Sequence, residues 1–244
     1  MDVSTRAVAT AVAAALVAVA AFLGEVPLIA LAGVLAVAFA VGWPSLVDLP
    51  RRLGATILIG LGGAGAVLAI AFTPGEPFLR ELPLVFALAI VLAFVNELLR
   101  RDGRERLVES VSGVVAGVLI AASMSGWVAA GRTAGGVSLV VTGAVALAAG
   151  SAVSTLPVGG WLRVFGTLAA AAGAGTGTGA LVPGIGPAVG GLIGLAVGVL
   201  IATLLELFDR LPSLTLRWAA VAACVLPVTV TGILVYVVGR VLVG

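Results

Sequence analysis

The sequence predicts an all-α, polytopic transmembrane bundle of about nine helices, and three observations predict it. Of the 244 residues, 61% are apolar and only 10% charged, with a mean hydropathy of +1.29, far outside the composition of soluble globular domains. The apolar residues come in runs near the roughly 20 residues that a helix needs to cross a bilayer. The charged residues, almost without exception, fall between the runs. No polar stretch is long enough to form a soluble domain, so residues 1–244 read as a single integral membrane domain.

Nine apolar segments follow in order: Ala7–Leu23, Val26–Val41, Leu53–Phe72, Leu82–Leu98, Leu107–Ala130, Val137–Leu156, Leu162–Leu181, Ala188–Phe208 and Trp218–Val243. The first two are joined only by Gly24 and Glu25, which predicts a tight antiparallel hairpin. Ala7–Leu23 reads as a span rather than a cleaved signal peptide. Its preceding residues carry both Arg6 and Asp2, and the apolar run is long for a signal's hydrophobic region. Trp43, Trp127, Trp161 and Trp218 fall at segment ends, where an aromatic belt would place them.

Every basic residue is an arginine. With the N-terminus in the cytoplasm, alternate loops put Arg6, Arg51, Arg52, Arg100, Arg101, Arg104, Arg106, Arg163, Arg210 and Arg217 inside and Arg80, Arg132 and Arg240 outside, ten against three. That bias predicts a cytoplasmic N-terminus and an external C-terminus in the inner membrane of a bacterium. The loop from Asn96 to Ser110 is the most charged. Its Glu97, Glu105 and Glu109 are spaced to pair with Arg101, Arg104 or Arg106 along a helix. Arg100, Arg101, Arg104 and Arg106 therefore make a candidate contact for lipid headgroups or a partner's acidic loop, beside the plainer reading of an ordinary cytoplasmic loop.

Histidine is absent and Cys224 is the sole cysteine. This excludes an intrachain disulfide, a Cys/His zinc site and a histidine base. No metal, cofactor or nucleic-acid partner is predicted, and the pI near 9.5 reflects a net charge of only +2. Glu97, Glu206 and Asp209 lie near the cytoplasmic ends of helices, in reach of water, and no helix centre carries a clear charge. Ion-coupled transport needs such a charge.

Gly173–Gly198 is the densest glycine region. Gly186, Gly190, Gly194 and Gly198 recur every fourth residue, a stripe that another helix backbone can approach closely. It is either a packing seam within the chain or the surface on which a partner docks. Before it, glycines at 173, 175, 177 and 179 alternate with Ala and Thr, poor helix material in water, and Pro183 and Pro187 bracket a break. Gly113 and Gly117 form a second close-packing pair; Gly60, Gly62, Gly63 and Gly65 are a third cluster. A transporter or permease with a substrate site at the Gly173–Pro187 break is the alternative reading, with Thr176 and Thr178 as hydroxyl donors. A third is an enzyme using Glu206 and Asp209.

Three fragments carry a family resemblance. Arg106-Leu-Val-Glu-Ser-Val-Ser-Gly113 opens a middle helix, Pro183-Gly-Ile-Gly-Pro-Ala-Val-Gly-Gly191 precedes a glycine-rich helix, and Leu205-Glu-Leu-Phe-Asp-Arg-Leu-Pro212 precedes the last one. With the short opening pair and about nine spans, this layout resembles the CDP-diacylglycerol synthase family, the membrane phosphatidate cytidylyltransferases. The family's Lys-Asp, Pro-Gly-His-Gly-Gly and Asp-Arg stretches, which serve cation and CTP binding, have no counterpart, and the aspartate expected near Ala149-Gly-Ser-Ala-Val-Ser154 is missing. The resemblance therefore implies a non-catalytic relative, with no catalytic residue to carry over. Its expected role is as a partner or regulatory subunit of a phospholipid-synthesis enzyme, held in a hetero-oligomer through glycine-rich helices.

Overall fold

The computed structural model describes residues 3–99, 106–208 and 216–243. Among the described residues the regular structure is entirely helical: α1 (Val3–Leu23), α2 (Glu25–Leu46), α3 (Arg52–Phe72), α4 (Leu82–Leu98), α5 (Leu107–Ser123), α6 (Ser125–Gly131), α7 (Gly136–Val153), α8 (Gly160–Leu181), α9 (Pro187–Phe208) and α10 (Arg217–Leu242), with one 3-10 turn at Phe78–Glu81. Helices suit this chain because a bilayer leaves no water to satisfy backbone N–H and C=O groups. Eight helices, α5 and α6 counted as one, are long and apolar enough to cross a membrane. The ninth, α8, is 22 residues long, but glycine and threonine dilute its second half.

The fifth apolar segment is not one straight helix. It divides at Met124, and α6 continues as a short piece. Where α6 crosses α10, Gly126 lies so close to the backbone of Gly232 and Ile233 that a methyl group would overlap it. The Trp127 indole N–H donates to the Val228 carbonyl at 2.8 Å. Trp127 is thus wholly buried, and Trp43, its N–H on the Gly113 carbonyl at 2.8 Å, is nearly so. This corrects the belt assignment for both: an indole whose N–H finds a helix carbonyl is stable inside the bundle. Trp161 and Trp218 are the exposed pair.

Helix α10 is the hub, packed on α1, α2, α5, α6, α7 and α9. On one side α2, α3, α4 and α5 form a group, and on the other α7, α8 and α9 do. The opening hairpin turns at Gly24, whose φ of +128° suits glycine, but α1 packs more closely on α7 than on α2. Two helices sit at opposite edges. α4 touches only α3, α5 and the 3-10 turn in any depth, and α8 only α7 and α9.

Polar groups gather at two rims. At one rim Arg106 pairs with Asp48 (3.4 Å) and Glu109, and Arg163 pairs with Glu206 (3.5 Å). At the other, Arg132 pairs with Glu25 (3.1 Å), Arg80 with Glu81 (3.3 Å) and Arg240 with Glu76. These contacts join loops that alternate crossings place on the same side. The three arginines of the second rim are each matched by one glutamate.

A candidate helix-association site

The tightest packing in the molecule is the antiparallel pair α8–α9. Chain direction reverses through Val182–Gly186, with φ of +87° at Gly184 and +77° at Gly186, and Pro187 opens α9, where its ring costs no hydrogen bond. The stripe identified in the sequence faces α8 and is filled by it. A methyl on Gly179 would stand 2.5 Å from the Gly186 carbonyl oxygen, and one on Gly190 2.9 Å from the Gly179 Cα. One on Gly194 would meet the Ala172 Cα at 2.9 Å, and one on Gly198 the Leu168 Cα at 3.1 Å. Gly186 itself lies in the turn, and its carbonyl accepts the Gly190 N–H at 3.0 Å. Gly190, Gly194 and Gly198 thus form a seam inside the chain, filled by α8.

The matching half of the seam is Ala171, Gly175 and Gly179, one face of α8. Residues 173–179 are continuous helix, because the α9 backbone packs along them and no water competes for their hydrogen bonds. The hydroxyls of Thr176 and Thr178 donate to the Ala172 and Ala174 carbonyls, both at 2.8 Å. The interruption between the two segments is thus a five-residue turn at a rim rather than an unwound stretch at mid-depth.

Because glycines alternate in this run, α8 carries small residues on its opposite face too. Ala169, Gly173, Thr176, Gly177 and Ala180 are exposed, and nothing lies within 4 Å of a methyl built on Gly173 or Gly177. At 1.5 Å per residue this row runs for about 16 Å. Larger side chains bound it: Trp161, Leu162 and Phe165 at one end and Leu181 at the other, all exposed. The other edge helix is built oppositely. α4 turns Ala89 and Ala93 inward and presents Leu84, Leu88, Val91, Leu92 and Val95 outward. That is an ordinary lipid-facing surface, whereas α8's is a row of small residues.

Most of the other glycines singled out in the sequence receive side chains. Leu49 lies in the notch at Gly113, while Ile59 and Trp43 fill that at Gly117. Of the α3 cluster, Gly62 faces Val118 and Gly63 faces Ala121, whereas Gly65 meets nothing. Of the charged loop, Arg106 is described, and its guanidinium is held above its ordinary pKa by the hydrogen bond and charge of Glu109. Arg100, Arg101, Arg104 and Glu105 lie outside the described residues. Glu97, expected in reach of water, is buried at 2% exposure and accepts the Ser110 hydroxyl at 2.5 Å. Its helix end is covered by the start of α5. Glu206 is engaged by Arg163, and Asp209 lies outside the described residues.

Compared with known proteins, the chain matches no family model, no curated protein and no solved structure.

Proposed function

We propose that this chain is a non-catalytic multi-pass membrane protein that works by helix association, with the outward face of α8 as its docking surface. The observation that carries this reading is the contrast between the edge helices. Association within a bilayer is driven by close packing of small residues, and of the two edge helices α8 presents an unfilled row of them. Lipid chains pack poorly along such a row, and a partner helix packs well. The α8–α9 turn and the self-satisfied threonine hydroxyls belong to packing rather than to a substrate cradle, so association is preferred to transport.

The partner is a phospholipid-synthesis enzyme such as CDP-diacylglycerol synthase. This rests on the resemblance of residues 106–113, 183–191 and 205–212 together with the missing cation-binding stretches. The arginine-rich side faces the cytoplasm of a bacterial inner membrane, because ten of thirteen arginines fall in the sequence segments assigned to it.

A pull-down of the tagged full-length protein from its native membrane in mild detergent, with mass spectrometry of what is retained, tests the proposal. Stoichiometric recovery of such an enzyme is expected, and recovery of the chain alone overturns it. Gly173→Leu combined with Gly177→Leu should lower recovery at least about tenfold, the loss of about 1.4 kcal/mol. Helix content should not change, because both positions face open space. Undiminished recovery would remove α8 as the docking surface.

A further inference from the structure

A second feature lies elsewhere, where α1, α7, α9 and α10 meet at the arginine-rich rim. A cavity of about 30 Å³ is lined there by Arg6, Thr10, Ser151, Ser154, Leu204, Phe208 and neighbouring apolar residues. The Arg6 Nε and Nη1 are buried and have no hydrogen-bond partner. Its guanidinium carbon lies 5.8 Å from the centre of the Phe208 ring, a cation–π contact that holds the group in place without neutralising it. Among the described residues no acidic side chain lines the cavity. Several other arginines have acidic partners: Arg106 has Glu109 and Asp48, Arg163 has Glu206, and Arg132 has Glu25.

Buried donors left unmet are costly, and guanidinium pairs best with a carboxylate or phosphate. The nearby hydroxyls belong to Thr10, which donates to the Cys224 carbonyl at 2.8 Å, and to Ser151 and Ser154, which close one wall. Ser154 donates to the Ser151 carbonyl at 2.7 Å. The opposite wall, Ile201, Leu204, Leu205 and Pro227, is apolar. The volume admits about two oxygen-sized atoms, so an acid group would place two of its oxygens in the cavity and keep the rest of the headgroup at the rim.

We infer that the Arg6 cavity seats one oxyanion of the phosphate type, presented by an anionic lipid at this rim. Arg6 supplies charge and donors, Phe208 supports the guanidinium, and the apolar wall meets the first carbons below the headgroup. The phosphate enters from the rim, where headgroups already sit. Inorganic phosphate is the same chemistry from a soluble source. The inference stands apart from the α8 surface, and a chain without a protein partner still tests it.

Purified full-length protein is loaded separately with phosphatidylglycerol and phosphatidylethanolamine, and lipid retention is counted by native mass spectrometry. Thermal midpoints are recorded with and without inorganic phosphate. Wild type should retain phosphatidylglycerol selectively, and Arg6→Gln should hold it about tenfold more weakly. Arg51→Gln, which removes a charge from the same rim, should not change it. Arg6→Lys keeps the charge and should retain part of the binding, so a loss in Arg6→Gln with restoration in Arg6→Lys separates binding from folding. A midpoint raised by inorganic phosphate in wild type and not in Arg6→Gln, without lipid retention, supports the anion seat with a soluble occupant. Equal retention of both lipids, or the same phosphatidylglycerol retention and phosphate response in wild type and Arg6→Gln, overturns it.

Discussion

Single residues in this bundle matter according to what stands within a methyl group's reach. Gly126 and Gly65 are both helical glycines in apolar runs, yet one meets the α10 backbone and the other open space. Gly126→Ala should destabilise the protein by about 1–3 kcal/mol, because backbone cannot move aside as a side chain can. Gly65→Ala should be neutral or stabilising by up to about 1 kcal/mol, from helix propensity alone. Unfolding in detergent mixtures of increasing denaturing strength measures both, and equal effects would refute this account of close packing. Arg132 is the polar counterpart. It donates to the Ile70 carbonyl and, at 3.3 Å, to that of Ala71, pairs with Glu25 and lies 4.9 Å from the Phe78 ring centre. It thereby closes the open carbonyl end of α3 and ties α2 and the 3-10 turn to the α6–α7 loop. Arg132→Gln should cost about 1.5–3 kcal/mol. Glu25→Gln, on a half-exposed partner, should cost about 1 kcal/mol or less.

Among elements, α8 is the one whose composition departs from its neighbours, and its two faces do different things. Alternating glycine spreads small residues around the whole helix instead of along one stripe. The row Ala171, Gly175 and Gly179 is consumed by α9, and the row Ala169, Gly173 and Gly177 is left over. The double leucine substitution and the pull-down test the leftover row, while substitutions in the consumed row would only measure folding. α4 shows the alternative, where small residues face in and branched ones face out. α6 adds a third pattern: a glycine and a tryptophan adjacent in sequence, one admitting α10 and the other bonding to it.

For the molecule as a whole, the decisive quantity is the split of charge between rims. The second rim's three arginines and three glutamates cancel in pairs, so the net charge of +2 belongs to the N-terminal rim. That asymmetry predicts the orientation and can be read by labelling. With Cys224 replaced by alanine, single cysteines at Asp48 and Val158 should react with an impermeant maleimide only after cells are opened. Single cysteines at Pro74 and Ala134 should react in intact cells. The reverse pattern would invert the bundle and place the arginine-rich rim outside.

The helical segments, their order and their approximate ends were legible in the sequence, and eight of them are long and apolar enough to cross a membrane. Hydropathy and charge act residue by residue, and a bilayer converts them directly into crossings. The α8–α9 stripe was legible as a close-packing surface, since a period of four needs only helical geometry. Its occupant was not, because a glycine row does not name the helix that fills it. The tertiary structure alone decided that α9 spends its stripe on α8, that Gly126 rather than Gly113 meets another backbone, and that Trp127 is interior. These depend on which helices become neighbours across long stretches of chain. The same is true of Arg6: one residue in a count of thirteen by sequence, it has two buried guanidinium nitrogens without a partner among the described residues only because α7, α9 and α10 close around it.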